Sequence, residues 1–300
     1  MRIYHLFFYF FLIINAQRVK QQKSKILKTH SLELPYIEEG LQNRWFDFGG
    51  NTIVDTNKHI RLTSTTSSQH GYLWSRLPIN AEHFEIEFEF KVGGSTSKLH
   101  GDGFALWLTT ERTSVGSVFG SVNRFTGLGI FFDTFNNQET KEHTFPYISS
   151  MLGDGRTFYE NANDGRDTML AGCEADFREK AFPTIGRLSY HKNNYLELQV
   201  QYEQEGKWTD CFKVLDIKLP DRFYLGLTAH TGQLNDNHDI IKVTTRSLIP
   251  IEKVPKMMSP PTIKSKGEAS RLYLFLKMGT VGLVAGCFYF VYKMYNEKNQ

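Results

Sequence analysis

The chain has 300 residues, 40% of them hydrophobic, and a formal net charge of +3. That charge is too small to argue for a nucleic-acid partner. The sequence also lacks a Gly-x-Ser-x-Gly elbow, a Cys-x-x-Cys pair, a His-Glu-x-x-His helix and a phosphate loop, so it offers no convincing nucleophile.

In chain order, residues 4–14 (YHLFFYFFLII) form an apolar run behind Arg2. It is short for a bilayer span, which needs about 20 residues. With Ala16 behind it, the segment 1–16 reads as a secretory signal peptide, with an uncleaved anchor as the alternative. Residues 17–29, with Arg18, Lys20, Lys23, Lys25 and Lys28, read as a disordered basic lead-in. From His30 to Leu248, short stretches alternate apolar and polar residues between Gly, Asn, Asp and Ser, as in 83–92, 104–109, 195–202, 223–228 and 240–245. Alternation at period two means half-buried strands, and no long helical period interrupts it, so 30–248 is expected to be one all-β sandwich.

The texture changes again at 249–271, where Pro250, Pro255, Pro260 and Pro261 predict a semi-extended stalk. Residues 272–292 are long enough to cross the hydrocarbon layer, with Lys277 near one end and Tyr273, Tyr289 and Tyr292 toward the borders. A signal peptide and one late transmembrane helix predict a single-pass type I membrane protein with a lumenal domain and a cytosolic tail, 293–300. The tail carries Lys298 without the second lysine of a dilysine retrieval signal. Vesicle coat proteins are the expected readers of such a tail, and cycling between ER and Golgi, or Golgi residence, the expected outcome. Cys287 lies in the span; Cys173 and Cys211 are the lumenal pair, and an oxidising compartment favours joining them over two free thiols. No Asn-x-Ser/Thr sequon occurs.

One stretch organises the rest: GLGIFFDTFNN, 127–137. It begins as a buried strand and ends in oxygen donors: the Asp133 carboxylate, the Phe135 carbonyl and the Asn137 amide. That i, i+2, i+4 spacing suits a hard cation such as Ca2+, with the loop 161–165 (NANDG) able to close the shell. A metal-free polar junction fits the spacing as well. His100-Gly101-Asp102-Gly103 reads either as a tight turn or as an Asp placed to accept hydrogen bonds from vicinal sugar hydroxyls. The loop 230–239 (HTGQLNDNHD) reads as a binding rim, in which adjacent His238 and Asp239 face opposite ways along a strand. Glu85, Glu87 and Glu89 share one strand face. They read as a solvated face, with a glycoside hydrolase carboxylate pair as the sharper alternative.

HGDGFALW (100–107), VFG (118–120), GLGIFFDTFNN, FPYIS (145–149), NDGR (163–166), LAGCEADFR (170–178) and DNHDI (236–240), in that order, resemble the L-type, leguminous-like lectins of the animal secretory pathway. The vesicular integral-membrane branch and its ER-resident relative look nearest, and the likeness covers nearly all of 30–248. The resemblance implies a concanavalin-A-like jelly roll and Ca2+-dependent binding of high-mannose N-glycans on glycoprotein cargo, in the ER, the ER–Golgi intermediate compartment or the Golgi. It implies calcium ligands at Asp133, Phe135 (carbonyl), Asn137 and Asp164. It implies sugar contacts at Ser68, Asp102, Asn137 and the loop Gly232-Gln233-Leu234, and a Cys173–Cys211 bridge. Two positions depart. Asn161 stands where close relatives carry His, and Gln233 where they carry Gly or Asp, so fine specificity is expected to differ while the site persists. A sugar-independent adaptor on the same fold is the other reading.

Overall fold

The computed structural model describes residues 24–94, 99–138 and 142–248. The signal peptide, the stalk, the span 272–292 and the tail lie outside the described residues, among which no helix is long and apolar enough to cross a membrane. The first strands are β1 (Ser24–Ile26), β2 (Phe46–Gly50), β3 (Ile53–Asp55), β4 (His59–Thr63), β5 (His70–Ser75) and β6 (His83–Gly93). There follow β7 (Gly103–Thr109), β8 (Thr126–Asp133), β9 (Tyr147–Asp154), β10 (Ala171–Glu174) and β11 (Thr184–His191). The last are β12 (Tyr195–Gln201), β13 (Thr209–Leu215), β14 (Tyr224–His230) and β15 (Asn237–Leu248). They build two antiparallel sheets, the all-β sandwich that the alternation predicts. One runs β13-β12-β11-β6-β15-β4-β3 with β1 added on β15, the other β10-β9-β8-β7-β14-β5-β2.

Strand β6 shows why the pattern folds this way. Phe84, Ile86, Phe88 and Phe90 point between the sheets and are fully buried, while the intervening glutamates face outward. Across the gap the rings of Phe104 and Phe132 stack at 4.4 Å, and Phe90 meets both edge-on at 4.8 and 5.3 Å. Strands β7 and β8 are buried on both faces. Phe104, Leu106, Leu128, Ile130 and Phe132 belong to the inter-sheet core. Trp107 and Phe131 instead join a second cluster with Phe119, Phe125 and Tyr159, contributed by loops folded over the sheet. Trp107 Nε1 donates to Thr228 Oγ1 at 2.8 Å, so burying the indole strands no donor.

The lead-in expectation needs correcting from Ser24 onward. Ser24, Lys25 and Ile26 pair with Leu248, Ser247 and Arg246, and Leu32 bridges Val243. Strand β4 covers β15 only at its start, up to Ile240, so the chain start supplies backbone partners along the remainder of that edge. The exposed lysine side chain at 25 does not oppose this, because the pairing uses main chain alone.

The glycosidase reading of β6 finds no free acid–base pair at Glu85 and Glu87. Arg246 holds Glu85 at 3.3 Å and Glu87 at 2.9 Å, Arg187 holds Glu87 at 2.7 Å, and Arg187 stacks on Trp208 at 3.8 Å. Burial pushes the Glu87 carboxyl up, but the two arginines outweigh it and hold the group below its usual range. Carboxylates committed to arginines on an outer face are structural ion pairs, not an acid–base pair.

His238 and Asp239 go separate ways, as expected. His238 Nδ1 meets Thr63 Oγ1 at 2.7 Å, while Asp239 takes two bonds from Arg61 at 2.7 and 2.8 Å. Burial pushes His238 from 6.5 down to about 4, against the opposing pull of Asp236, Asp239 and Asp102. The unfolded chain therefore binds this proton near pH 6.5 and the folded chain only near 4. The resulting contribution is full above pH 6.5 and is lost as pH falls toward 4. Urea unfolding across that range should show the wild type losing up to roughly 3 kcal/mol more than His238→Asn. Parallel pH profiles would contradict this origin.

Candidate functional site

The site lies where β7 and β14 start and end beside the end of β8. Gly103 opens β7 at φ 151°, and an added Cβ would stand 2.3 Å from the Phe132 carbonyl oxygen, so only glycine permits this approach. Asp102 is thereby fixed against its neighbours. Its carbonyl accepts Thr134 N and Oγ1, both at 3.0 Å, and its N–H donates to the His230 carbonyl at 3.3 Å. Its Oδ2 accepts from His230 Nδ1 at 2.8 Å.

Asp133 ends β8 and is only 4% exposed. Its Oδ1 accepts the Phe135 N–H at 2.9 Å, which turns the following loop. Asp164 caps a short 3-10 turn, Asn161–Asn163, in the left-handed conformation at φ 55°, and is also buried. Asn137 joins the two segments: its N–H donates to Asp164 Oδ2 at 3.0 Å and its Nδ2 to Asp164 Oδ1 at 2.8 Å. Asp133 is pushed well above the usual carboxylate range, first by burial, then by the charges of Asp164 and Asp102. Asp164 is raised by burial, with the amides of Asn137 and Gln138 opposing. Among the described residues, the groups that donate to these two carboxylates are amides. Two desolvated acids whose hydrogen bonds come from amides are a donor set for a hard divalent cation. The Asn137 amide oxygen and the Phe135 carbonyl belong to the same loop.

Asp102, Asp133, Asn137, Asn161 and Asp164 line one cleft of about 230 Å3, with Ser117, Phe119, Tyr159 and His230. The other residues singled out in the sequence stand next to it. Ser68, at φ 58°, donates its N–H to the Gly232 carbonyl at 2.9 Å, and Ser67 Oγ donates to the Gln233 carbonyl at 3.2 Å. A Cβ on Gly232 would lie 3.3 Å from Asp102 Oδ1 and 3.4 Å from Oδ2, so glycine keeps that side of the carboxylate open. A Cβ on Gly101 would sit 3.2 Å from Phe135 Cβ and 3.5 Å from Leu234 Cβ, which puts Phe135 and Leu234 on that flank. Cys173 and Cys211 are bonded, with Cα atoms 5.2 Å apart. They join β10 to β13, the outermost strands of the two sheets.

Sequence reasoning missed four of the lining residues as site members: Ser117, Phe119, Tyr159 and His230. Phe119 lay within the VFG motif and His230 opened the polar rim loop, but neither position announces that it converges on Asp102. Tyr159 is buried, and its hydroxyl is pushed upward by desolvation and then by Asp133 and Asp164.

A two-sheet sandwich with this cleft has close counterparts, and the chain belongs to the legume-like lectin family, whose sequence model matches residues 23–255. It is 41% identical over 243 residues to the vesicular integral-membrane protein VIP36 of Canis lupus familiaris, covering 80% of this chain and 65% of that protein. This chain thus spans just under two thirds of that relative's length. It is 35% identical over 283 residues to the VIP36-like protein of Mus musculus, covering 87% of this chain and 81% of that one. Its fold is similar to the VIP36 exoplasmic/lumenal domain in a Ca2+/Man-bound form, with TM-score 0.73 and 39% identity over 77% of this chain and 94% of that one. The metal-free form of that domain gives TM-score 0.71 at 39% identity, covering 75% of this chain and 94% of that one. The sandwich is therefore legume-lectin-like.

Proposed function

We propose that this protein is a Ca2+-dependent lectin that binds high-mannose N-glycans on glycoproteins. In this reading it serves as a cargo receptor or sorting and quality-control lectin in ER–Golgi transport. The observation that carries the reading is the buried pair Asp133 and Asp164, held by amides and opening on the same cleft as Asp102. Solved VIP36 lumenal domains in Ca2+/Man- and Ca2+/Man3GlcNAc-bound forms support it. Asp133, the Phe135 carbonyl, Asn137 and Asp164 hold the ion, which supplies the positive charge that the surrounding amides do not. Asp102 and Asn137 bracket one mannose, with Ser68, Asn161 and the loop Gly232-Gln233-Leu234 around it. The residues offer recognition without a nucleophile. Shallow sugar sites bind weakly, so capture depends on several glycan arms engaging together. Single-pass type I anchoring, a lumenal domain, residence in the early secretory pathway and a tail read by vesicle coat proteins complete the proposal.

A glycan array probed with residues 24–248, with and without chelator, tests it. High-mannose binding that vanishes in chelator is expected. Glycan binding unaffected by chelator contradicts calcium dependence, and no glycan binding at all favours the adaptor.

Asn161 tests the fine structure. It lines the cleft from an exposed 3-10 turn. Asn is shorter than His, so its contact to the sugar is expected to run through water, which need not be much weaker. One hydrogen bond is worth about 0.5–1.5 kcal/mol. Asn161→His should therefore tighten mannose binding by roughly threefold to tenfold in calorimetry. A wild type without mannose binding, restored by Asn161→His alone, would mark a lost activity.

A further inference from the structure

His230 carries an inference of its own, resting on the lectin reading above. It ends β14, where its main chain pairs with Gly103 on one side and His70 on the other. Both strand neighbours hold it in place, and it meets Asp102 twice. Its carbonyl takes the Asp102 N–H at 3.3 Å, and its Nδ1 reaches Asp102 Oδ2 at 2.8 Å. A carboxylate only accepts, so Nδ1 carries the proton in this bond. The ring is about a third exposed, its side chain at 36%, and it lines the same cleft as Asn137 and Asn161.

The consequences for Asp102 follow atom by atom. Oδ2 is held by the imidazole, and glycine at 232 keeps space beside the carboxylate, which leaves Oδ1 for a ligand. A neutral imidazole protonated at Nδ1 keeps a lone pair on Nε2. With the imidazole in that neutral form, Asp102 Oδ1 and His230 Nε2 are two acceptors on neighbouring residues that line one cleft. Paired acceptors suit two neighbouring hydroxyls, each donating one hydrogen. Asn161, at another point of the same cleft, offers a carboxamide, so the only imidazole among the residues lining it comes from β14.

We infer that His230 is a positioning and specificity residue of the sugar site: Nδ1 orients the Asp102 carboxylate, and Nε2 accepts from a second hydroxyl of the same vicinal diol. The ligand class is a hexose pyranoside with adjacent free hydroxyls.

Calorimetry on the full chain with Ca2+ and methyl α-mannoside tests this, alongside separate Ca2+ titration and thermal unfolding. His230→Ala removes both nitrogens. His230→Asn keeps a donor close to the place of Nδ1 but has nothing at Nε2. The expected order of affinity is wild type, then Asn, then Ala, with the Asn variant roughly threefold to tenfold weaker than wild type and the Ala variant at least about tenfold weaker. Calcium affinity and melting temperature should stay within error for both. Mannose affinity unchanged in His230→Ala overturns the inference. So does a loss of mannose binding that comes with an equal loss of calcium binding and a lower melting temperature, because the residue then only supports the fold. A deoxy analogue lacking one hydroxyl of the diol should lose less in His230→Ala than in wild type, and equal losses overturn the Nε2 contact. A wild type that binds calcium but no mannoside overturns the lectin reading itself, and this inference with it.

Discussion

Replacing Asp133 by alanine should abolish both calcium and mannose binding. Asp133 ends β8, is nearly fully buried, and fixes the loop through the Phe135 N–H. Its charge is one of two that the proposed cation site depends on, and affinity for hard cations scales with ligand charge count. We expect calcium affinity to fall by more than about a hundredfold, and mannose binding with it, because the proposed sites share Asn137. The stability arm separates this from simple damage. Burial and the charges of Asp164 and Asp102 hold the Asp133 carboxyl far above its ordinary range, so the ionised form is a liability without metal. In chelator, Asp133→Asn should melt no lower than wild type. Added calcium should then raise the wild-type melting temperature and leave the variant unmoved. A variant that still gains stability from calcium would place the ion elsewhere.

Opening the Cys173–Cys211 bridge should produce the largest loss of stability. The bridge closes a loop of sequence separation 38 and ties the outer strand of one sheet to the outer strand of the other. On the chain-entropy model such a loop is worth about 4 kcal/mol, a large share of a typical domain's 5–15. Urea unfolding of Cys173→Ser should show that loss, with a slope no smaller than the wild type's because the opened unfolded chain is less compact. A loss below about 0.5 kcal/mol would mean that packing alone holds the sheets at that edge.

Much of this architecture was legible in the residues because side-chain alternation reports directly on burial. Strand β6 reads straight off Phe84, Ile86, Phe88 and Phe90. The proposed half-site at Asp133, Phe135 and Asn137 rests on a related signal, since its candidate donors lie at close spacing in one loop. Asp164 is different: it reaches Asn137 across 27 positions, through a loop whose path no local pattern specifies. The resemblance to lectins supplied that residue. His230 was missed because its importance comes from the antiparallel register of β14 and β7, which places it opposite Gly103. Strand β1 was missed because a lysine-rich composition describes side chains, while the pairing with β15 is made by the main chain. The glutamates of β6 read as a solvated face, with a catalytic pair as the sharper alternative. Their spacing suited catalysis, but spacing does not reveal that Arg187 and Arg246 stand across the sheet.

A crystal structure of residues 24–248 grown with Ca2+ and soaked with mannose tests the site most directly. The expected result is one cation bound by Asp133, the Phe135 carbonyl, Asn137 and Asp164, with one mannose against Asp102 and the loop Gly232-Gln233-Leu234. A sugar bound away from Asp102, or a cleft that takes up neither cation nor sugar at saturating concentrations, would contradict a calcium-dependent mannose site in this protein.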